Sequence, residues 1–318
     1  MNDLNYIIKE ITQDVEGCLQ NGGIYYRLFA RQKSGESIKR KLEKKATEYR
    51  SKGKKMQDLI GIRLVFYFLE DVELVHQFFK EHFPGYEETS TTKDDIAKAE
   101  EQVFSLNGLA DKIFMPTRLN MIIRMNEQCT KWLKLALESE SEVDTSLIDN
   151  TYEVQLRTVL SEGWHEVEHD LRYKTQDESW WDECDEEARM LNGIYATLET
   201  AERSMGQIFS TIAHKNYKGR AWSAMLRNHF KIRTMDNELS EGVLKAIEER
   251  KLAKGIYRTD RSLLVKRMLA LSNRYPLKLD NIVFFANRIS DELNDGQLIE
   301  LEPAPIKMLL DKELEGIR

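Results

Sequence analysis

The segment from Thr151 to Thr158, TYEVQLRT, alternates in polarity, with Tyr152, Val154 and Leu156 on one face and Glu153, Gln155 and Arg157 on the other. A carboxylate on the polar face of such a strand can hold Mg²⁺ in phosphoryl transfer. That chemistry requires a second carboxylate and a bundle of cations elsewhere in the chain. Asp58 stands directly before the apolar run LIGIRLVF, and Arg31, Lys33, Lys39, Arg40 and Lys41 form a basic block ahead of it. Magnesium is commonly held by one or two carboxylates together with substrate phosphates, so acids far apart in sequence suit it when they converge at strand ends. Guanidinium groups add bidentate phosphate contacts and can stack on a base.

A competing chemistry is spelled by His165-Glu166-Val167-Glu168-His169, the H-E-x-x-H signature of a zinc protease. On a helix His165 and His169 would share one face, with Glu166 as general base and Glu183, Glu186 or Glu187 as a third ligand. The pentapeptide fixes only three positions, however, and no edge strand for a peptide substrate is marked near it. Cys18, Cys129 and Cys184 are far apart and outside any C-x-x-C arrangement, so inert thiols are expected.

Elements that could position these residues follow from periodicity. Leu4, Ile7, Ile8, Ile11, Val15 and Leu19 predict a helix over 3–20, stopped at Asn21-Gly22-Gly23, and a new segment starts at Tyr25–Ala30. A second helix is expected from about Ser37 to Arg50, with Ser34 or Ser37 as N-cap and Gly53 at its end. Leu59–Leu69 reads as a strand buried on both faces, and Asp71–Phe83 as an amphipathic helix. Residues 85–108 read as loop with a short helix at 94–102. Strands are expected at 112–115, 119–125 and 151–158, and helices at 126–142, 159–173 and 183–212.

The 318 residues are 41% hydrophobic and 32% charged, with 5 Pro and 16 Gly, a helix-rich globular composition. No apolar run approaches the roughly 18 residues that span a bilayer, and the acidic, amphipathic beginning is unlike a signal peptide, so a cytoplasmic protein is expected. A net charge of −7 conceals a segregation: residues 27–55 carry twelve Lys/Arg against three acids, whereas eleven acids lie between Glu162 and Glu187. A block so basic in an acidic chain usually meets phosphate. A domain boundary is placed near residue 215, dividing 1–215 from an all-helical 216–318 with helices at 238–252, 260–272 and 279–293. Between Ser204 and Met235 no acid occurs, and Lys215, Lys218, Arg220 and Arg227 mix with Tyr217, Trp222 and Phe230, a mild pointer to RNA. An amphipathic helix with a cationic face is the plainer meaning of that pattern.

Three stretches together resemble the synthetase domain of RelA/SpoT-type alarmone synthetases. Arg31 to Lys41 looks like its R-x-K-x-x-x-S-I-x-x-K element, Asp58-Leu59-Ile60-Gly61-Ile62-Arg63 is similar to its D-x-x-G-x-R strand entry, and Glu153 to Thr158 to its E-x-Q-[IL]-R-T strand. Trp164, Glu168, His169, Tyr173 and Lys174 fall where small members carry W-x-x-x-E-H-x-x-x-Y-K. The likeness covers roughly residues 20 to 210. It implies an α/β (α+β), nucleotidyltransferase-like fold with a mixed sheet of about four or five strands flanked by helices, and an ATP- and Mg²⁺-dependent pyrophosphokinase acting on a nucleotide 3′-hydroxyl. It further implies that Arg31 and Arg63 sandwich the ATP adenine, that Lys33, Ser37 and Lys41 contact phosphates, and that Asp58 and Glu153 hold Mg²⁺. Glu153 would also take the hydroxyl proton, and Gln155 would orient the acceptor. The metalloprotease signature is then accidental, with Glu168 and His169 supporting the strand.

The resemblance fails at one loop. Members carry P-K-x-N-G-Y-x-S-x-H, whose Tyr stacks on guanine; the corresponding run from Pro116 to Arg124 keeps the Pro but not the Gly, Tyr, Ser or His. The acceptor is therefore open between a nucleotide and an RNA end such as that of tRNA, unless Phe114 or Tyr86 replaces the ring. A catalytically lapsed nucleotide sensor or interaction protein of the same fold is the alternative, and the zinc protease the third reading. Oligomeric state and a protein partner or antitoxin are left open.

Overall fold

The computed structural model describes residues 4–53, 55–83, 85, 87–88, 119–138, 144–173 and 184–314. The helix expected at 94–102, the strand at 112–115, Pro116, Tyr86, Phe114, Lys174 and Glu183 lie outside the described residues. The chain divides into two compact units: Met1–Asp14 with Tyr26–Arg203, and Val15–Tyr25 with Ser204–Arg318. The divisions after Asp14 and after Arg203 both fall within helices.

The first unit is built on a mixed sheet of β1 (Tyr26–Gln32), β2 (Ile60–Phe66), β3 (Glu87–Glu88), β4 (Leu119–Arg124) and β5 (Thr151–Thr158), in the order β1-β2-β5-β4-β3. β2 and β5 run parallel and the other neighbours antiparallel. The β-branched run of β2 sits centrally because Ile60, Ile62, Leu64, Val65 and Phe66 are all buried, which only a strand covered on both faces allows. A parallel pair needs a crossover, and the chain between β2 and β5 includes α3 (Leu69–His82), β4 and α4 (Glu127–Glu138). α3 packs on β2 and β5, and its Val72, Val75, Phe78 and Phe79 are buried.

Local capping sets where the helices beside the central strands begin and end. α2 (Gly35–Lys52) starts at the earlier of the two expected caps: the Ser34 hydroxyl accepts from the Ser37 N–H. It ends at Gly53, whose φ of +64° is left-handed and free of cost only without a Cβ. α5 (Val159–Glu168) follows β5 directly, through a capping box in which the Thr158 and Ser161 side chains each accept from the other's backbone N–H. The helix expected to continue to 173 loosens into a π-type turn over His169–Tyr173. α1 (Asn5–Gly22) buries Leu4 before it and Ile7, Ile11, Val15 and Leu19 along it, as its spacing predicts.

All regular elements described in the second unit are helices: the end of α6 (Asp185–Lys218), then α7 (Trp222–Phe230), α8 (Glu241–Glu249), α9 (Ala253–Arg258), α10 (Arg261–Leu269), α11 (Leu279–Ile289), α12 (Gly296–Leu301) and α13 (Ala304–Leu314). The single helix expected at 238–252 stops at Glu249, just before Lys251 takes a left-handed φ of +58°. Phe230, Tyr275, Ile282, Phe284 and Phe285 are fully buried, and the Tyr275 hydroxyl donates to the Asn281 carbonyl at 2.7 Å. None of the described helices is long and apolar enough to cross a membrane.

Arg288 binds the buried Glu302 carboxylate bidentately at 2.7 and 2.6 Å and reaches Asp311 at 3.2 Å. Removing one member of a buried pair strands the other, so Arg288→Ala should cost about 3–5 kcal/mol, read as a lower urea midpoint of the full chain. Arg258→Ala, which removes an exposed pair with Glu292, should cost less than about 1 kcal/mol.

Candidate active site

Strand register sets two rows of side chains across one face of the sheet. Arg31 pairs with Gly61, Gly61 with Glu153, and Glu153 with Ile122; one step along, Phe29 pairs with Arg63, Arg63 with Gln155, and Gln155 with Asn120. Directly paired residues project to the same side, so the polar positions of β1, β2 and β5 converge above this face. Gly61 contributes no side chain, and a Cβ built there would meet nothing within 4 Å, which leaves a gap between Arg31 and Glu153.

A cavity of about 700 Å³ opens there, lined by Phe29, Arg31, Lys33, Ser37, Asp58, Gly61, Arg63, Glu153, Gln155, Glu162 and Glu166 among others. Arg31, Lys33, Asp58, Arg63 and Glu153, scattered over more than 120 positions of sequence, thus share one wall. Lys41 is not part of the lining but reaches the same carboxylate as Lys33. Of the remaining basic block, Arg40 pairs with Glu36 on the exposed face of α2.

Asp58 is held at the mouth of β2 by its backbone neighbours. Lys33 N–H donates to the Leu59 carbonyl at 2.9 Å, Met56 bridges to Ile148, and the Thr151 hydroxyl donates to the Gln57 carbonyl. Its Oδ2 accepts from both Lys33 Nζ and Lys41 Nζ at 2.5 Å, whereas Oδ1 is buried without a hydrogen-bond partner. Burial acts to raise the Asp58 carboxyl, but the hydrogen bonds and charges of the two lysines outweigh it, and the pKa lies below the ordinary carboxylate value.

Arg63 is held through two of its three nitrogens. Its Nε donates to Gln155 Oε1 at 3.0 Å and its Nη1 to Glu162 at 2.6 Å and to Glu166. Burial acts to lower the guanidinium pKa, yet the two carboxylates raise it overall. Gln155 in turn donates from Nε2 to Glu153 Oε2 at 3.1 Å, so one chain of hydrogen bonds runs from Glu153 through Gln155 to Arg63 and its acids. Arg157, expected beside Glu153 and Gln155 on the polar face, is buried and bonds the Leu119 and Leu156 carbonyls and Asn120 Oδ1.

Glu162, Glu166 and Phe29 join the site without having been expected there from sequence. Glu162 and Glu166 stand four apart on α5, one helical turn, and the capping box fixes that helix's exit from β5, a signal able to place both acids over the strand. The same contact gives Glu166 of the H-E-x-x-H pentapeptide its partner. His165 is buried against the Trp164 and Tyr195 rings, and His169 is half exposed beside Asp170. Among the described residues no group of three or more His, Cys, Asp and Glu could hold a metal ion by itself. Burial first, then Glu10 and Asp14, push the Cys129 thiol up to about 11.

In the second unit, Lys215, Lys218, Arg220 and Arg227 are exposed, and Arg227 donates to Asn237. The rings beside them are largely consumed by packing: Trp222 and Phe230 are buried, and Tyr217 stacks on Tyr257 at 4.8 Å.

The family model described as the region found in RelA / SpoT proteins matches residues 30–178. No curated protein matches the sequence. Among solved structures, the chain is similar to a GTP pyrophosphokinase family protein from Streptococcus pneumoniae (20% identity, 64% of this chain and 88% of that one, TM-score 0.40). It is also similar to the small alarmone synthetase 1 from Bacillus subtilis (18% identity, 64% and 91%, TM-score 0.40) and to the small alarmone synthetase 2 from the same organism (20% identity, 61% and 90%, TM-score 0.34).

Because the folded-state pKa of Asp58 is lowered, its stabilising contribution is complete above the unfolded value of 3.8 and is lost as pH falls through the folded value. Urea midpoints followed from neutral pH down through 3.8 should show this loss in the wild type. In Asp58→Asn that component should be missing, with stability already lower at neutral pH.

Proposed function

We propose, for a chain that carries a RelA/SpoT region over residues 30–178, Mg²⁺-dependent transfer of pyrophosphate from ATP to the 3′-hydroxyl of a nucleotide or RNA. The observation that carries this reading is the shared cavity of Arg31, Lys33, Asp58, Arg63 and Glu153. The acceptor oxygen attacks the β-phosphorus of ATP, the bond from that phosphorus to the oxygen bridging to the α-phosphate breaks, and AMP leaves. Glu153 takes the hydroxyl proton, and Gln155, bonded to it, fixes the direction from which the hydroxyl approaches. Lys33, Lys41 and Ser37 at the start of α2 gather the phosphates, helped by the positive end of the helix.

The donor set fits a magnesium ion. Asp58 Oδ1 is buried and bare while Oδ2 takes both lysines, and Glu153 supplies a second carboxylate in the same cavity. Two acids with the remaining positions left to phosphate and water are a usual magnesium arrangement. Bound there, the ion would neutralise charge on the transferring phosphates. ATP and its acceptors are cytoplasmic molecules, and the reading places the protein there.

Full-length protein incubated with labelled ATP, Mg²⁺ and a panel of GDP, GTP, ADP, ATP and bulk tRNA should release AMP and label one acceptor. ATP binding without AMP would favour the nucleotide-sensing alternative, and no binding would sink both. Glu153→Gln should slow transfer by about 10²–10⁴-fold with ATP affinity kept. Gly61→Val should fold, since β-branched residues suit a strand, yet weaken ATP binding about tenfold or more by filling the gap between Arg31 and Glu153.

A further inference from the structure

Gln155 joins two groups of opposite hydrogen-bonding sense. The Arg63 guanidinium can only donate, and its Nε gives its bond to Gln155 Oε1 at 3.0 Å. A carboxylate can only accept, and Glu153 Oε2 takes a bond from Gln155 Nε2 at 3.1 Å. A primary amide carries one oxygen and one nitrogen, so this arrangement admits a single orientation of Gln155, and its reverse would set oxygen against carboxylate. Arg63 thus decides which way the amide faces. The amide in turn holds the Glu153 carboxylate by Oε2 and leaves Oε1 for the hydroxyl proton.

What fixes Arg63 lies partly on the helix that follows β5. Arg63 and Gln155 are direct partners across β2 and β5, and Arg63 Nη1 reaches Glu162 at 2.6 Å and also Glu166. Glu162 is the stronger hold. Its side chain is 18% exposed against 51% for Glu166, and an ion pair open to water contributes little. Glu162 also stands next to Ser161 of the capping box, so the turn that ends β5 places it together with Gln155. Its second oxygen is buried without a hydrogen-bond partner, and Arg63 is the only cation paired with it among the described residues. Without that charge the guanidinium would swing toward Glu166, drawing Nε away from Gln155 and releasing the amide.

We propose that Glu162 is a positioning residue for the base of the transfer: through Arg63 and then Gln155 it sets the direction of the hydrogen bond that orients Glu153. This rests on the pyrophosphate-transfer reading and adds to it a residue that acts through others. A reacting group displaced by about 1 Å can lose about a hundredfold in rate. The effect of Glu162 therefore belongs in kcat.

The test is a double-mutant cycle on full-length protein with Mg²⁺, ATP and whichever of GDP, GTP, ADP, ATP and bulk tRNA the wild type labels. Glu162→Gln should lower kcat at saturating ATP by about ten- to a hundredfold, and the same change made in Gln155→Ala should lower it by no more than about twofold further. Independently of turnover, the Gln155 side-chain amide signal in NMR, identified by its loss in Gln155→Ala, should move in Glu162→Gln toward the position of a free amide. An unchanged kcat, equal losses in the two backgrounds, a loss seen only as a higher ATP KM, or an unmoved amide signal overturns the proposal. If Gln155→Ala is too slow to score, the amide signal decides. If Glu162→Gln does not fold, Glu162→Asp, which keeps the charge at a shorter reach, takes its place under the same criteria. Wild type that releases no AMP with any acceptor sinks the transfer reading and this role with it, whereas a failed cycle or a still amide sinks the role alone.

Discussion

A strand sends alternate residues to opposite faces, so a slip of one residue between β2 and β5 would turn Arg63 away from Gln155 and bring Ile62 or Leu64 into its place. The hydrogen bonds that run from Glu153 through Gln155 to Arg63 depend on that parity. The register is secured by burial, since a slip would turn the apolar set of one strand, Ile60, Ile62 and Leu64 of β2 or Val154 and Leu156 of β5, toward the cavity. It is secured again ahead of the strand, where the Met56 bridge to Ile148 and the Thr151 hydroxyl on the Gln57 carbonyl tie the approach to Asp58 against the approach to Glu153. Apolar packing on one face thereby determines where the carboxylates stand on the other.

Charge is balanced locally within this frame. Lys33 and Lys41 share one oxygen of Asp58, and Arg63 shares two glutamates of α5. Buried or half-buried cations without such partners would be costly, so the acids keep the basic groups folded into place, and under the proposed transfer phosphate would compete with those acids. The exchange is asymmetric. The lysines have flexible stems and can swing from Asp58 to a phosphate, whereas the Arg63 fork is tied on several sides and keeps its orientation. Under the proposed transfer, phosphates would therefore meet movable partners.

Much of this is legible in the sequence where one period dominates. The continuous apolar run of β2 and the clean alternation of β5 predict their burial, and Ser34, Gly53 and the apolar stripe of α1 mark their helices. β1 does not read as a strand, because Leu28-Phe29-Ala30 interrupts the alternation that Arg27 and Arg31 would otherwise show. Phe29 looks like core by type and is exposed by position, which only the pairing with β2 reveals. Glu162 and Glu166 belong, by sequence, to an acidic block that would repel phosphate. Their local spacing and the capping box place them over β5, but their meeting with Arg63, about a hundred residues away in the chain, is a tertiary fact. The break near Lys251 is hidden for a similar reason, since a positive φ at a lysine carries no composition signal.

The run that departs from the synthetase pattern limits where an acceptor can be recognised. Leu119–Arg124 is committed to the sheet along its whole length, paired with β5 from Leu119 opposite Leu156 to Arg124 opposite Thr151. Met121, Ile122 and Ile123 are buried, and Asn120 is tied to Arg157. No side chain in this run carries a ring, and freeing one to meet a base would break ladder hydrogen bonds and expose core. Under the proposed transfer, Leu119–Arg124 would supply no ring to an acceptor base, while Glu153 and Gln155 would act on its hydroxyl from β5. Under that reading the groups proposed to react stand on β5 and the run that departs from the synthetase pattern on β4, so a change of acceptor would be made on one strand and leave the proposed transfer chemistry on the other.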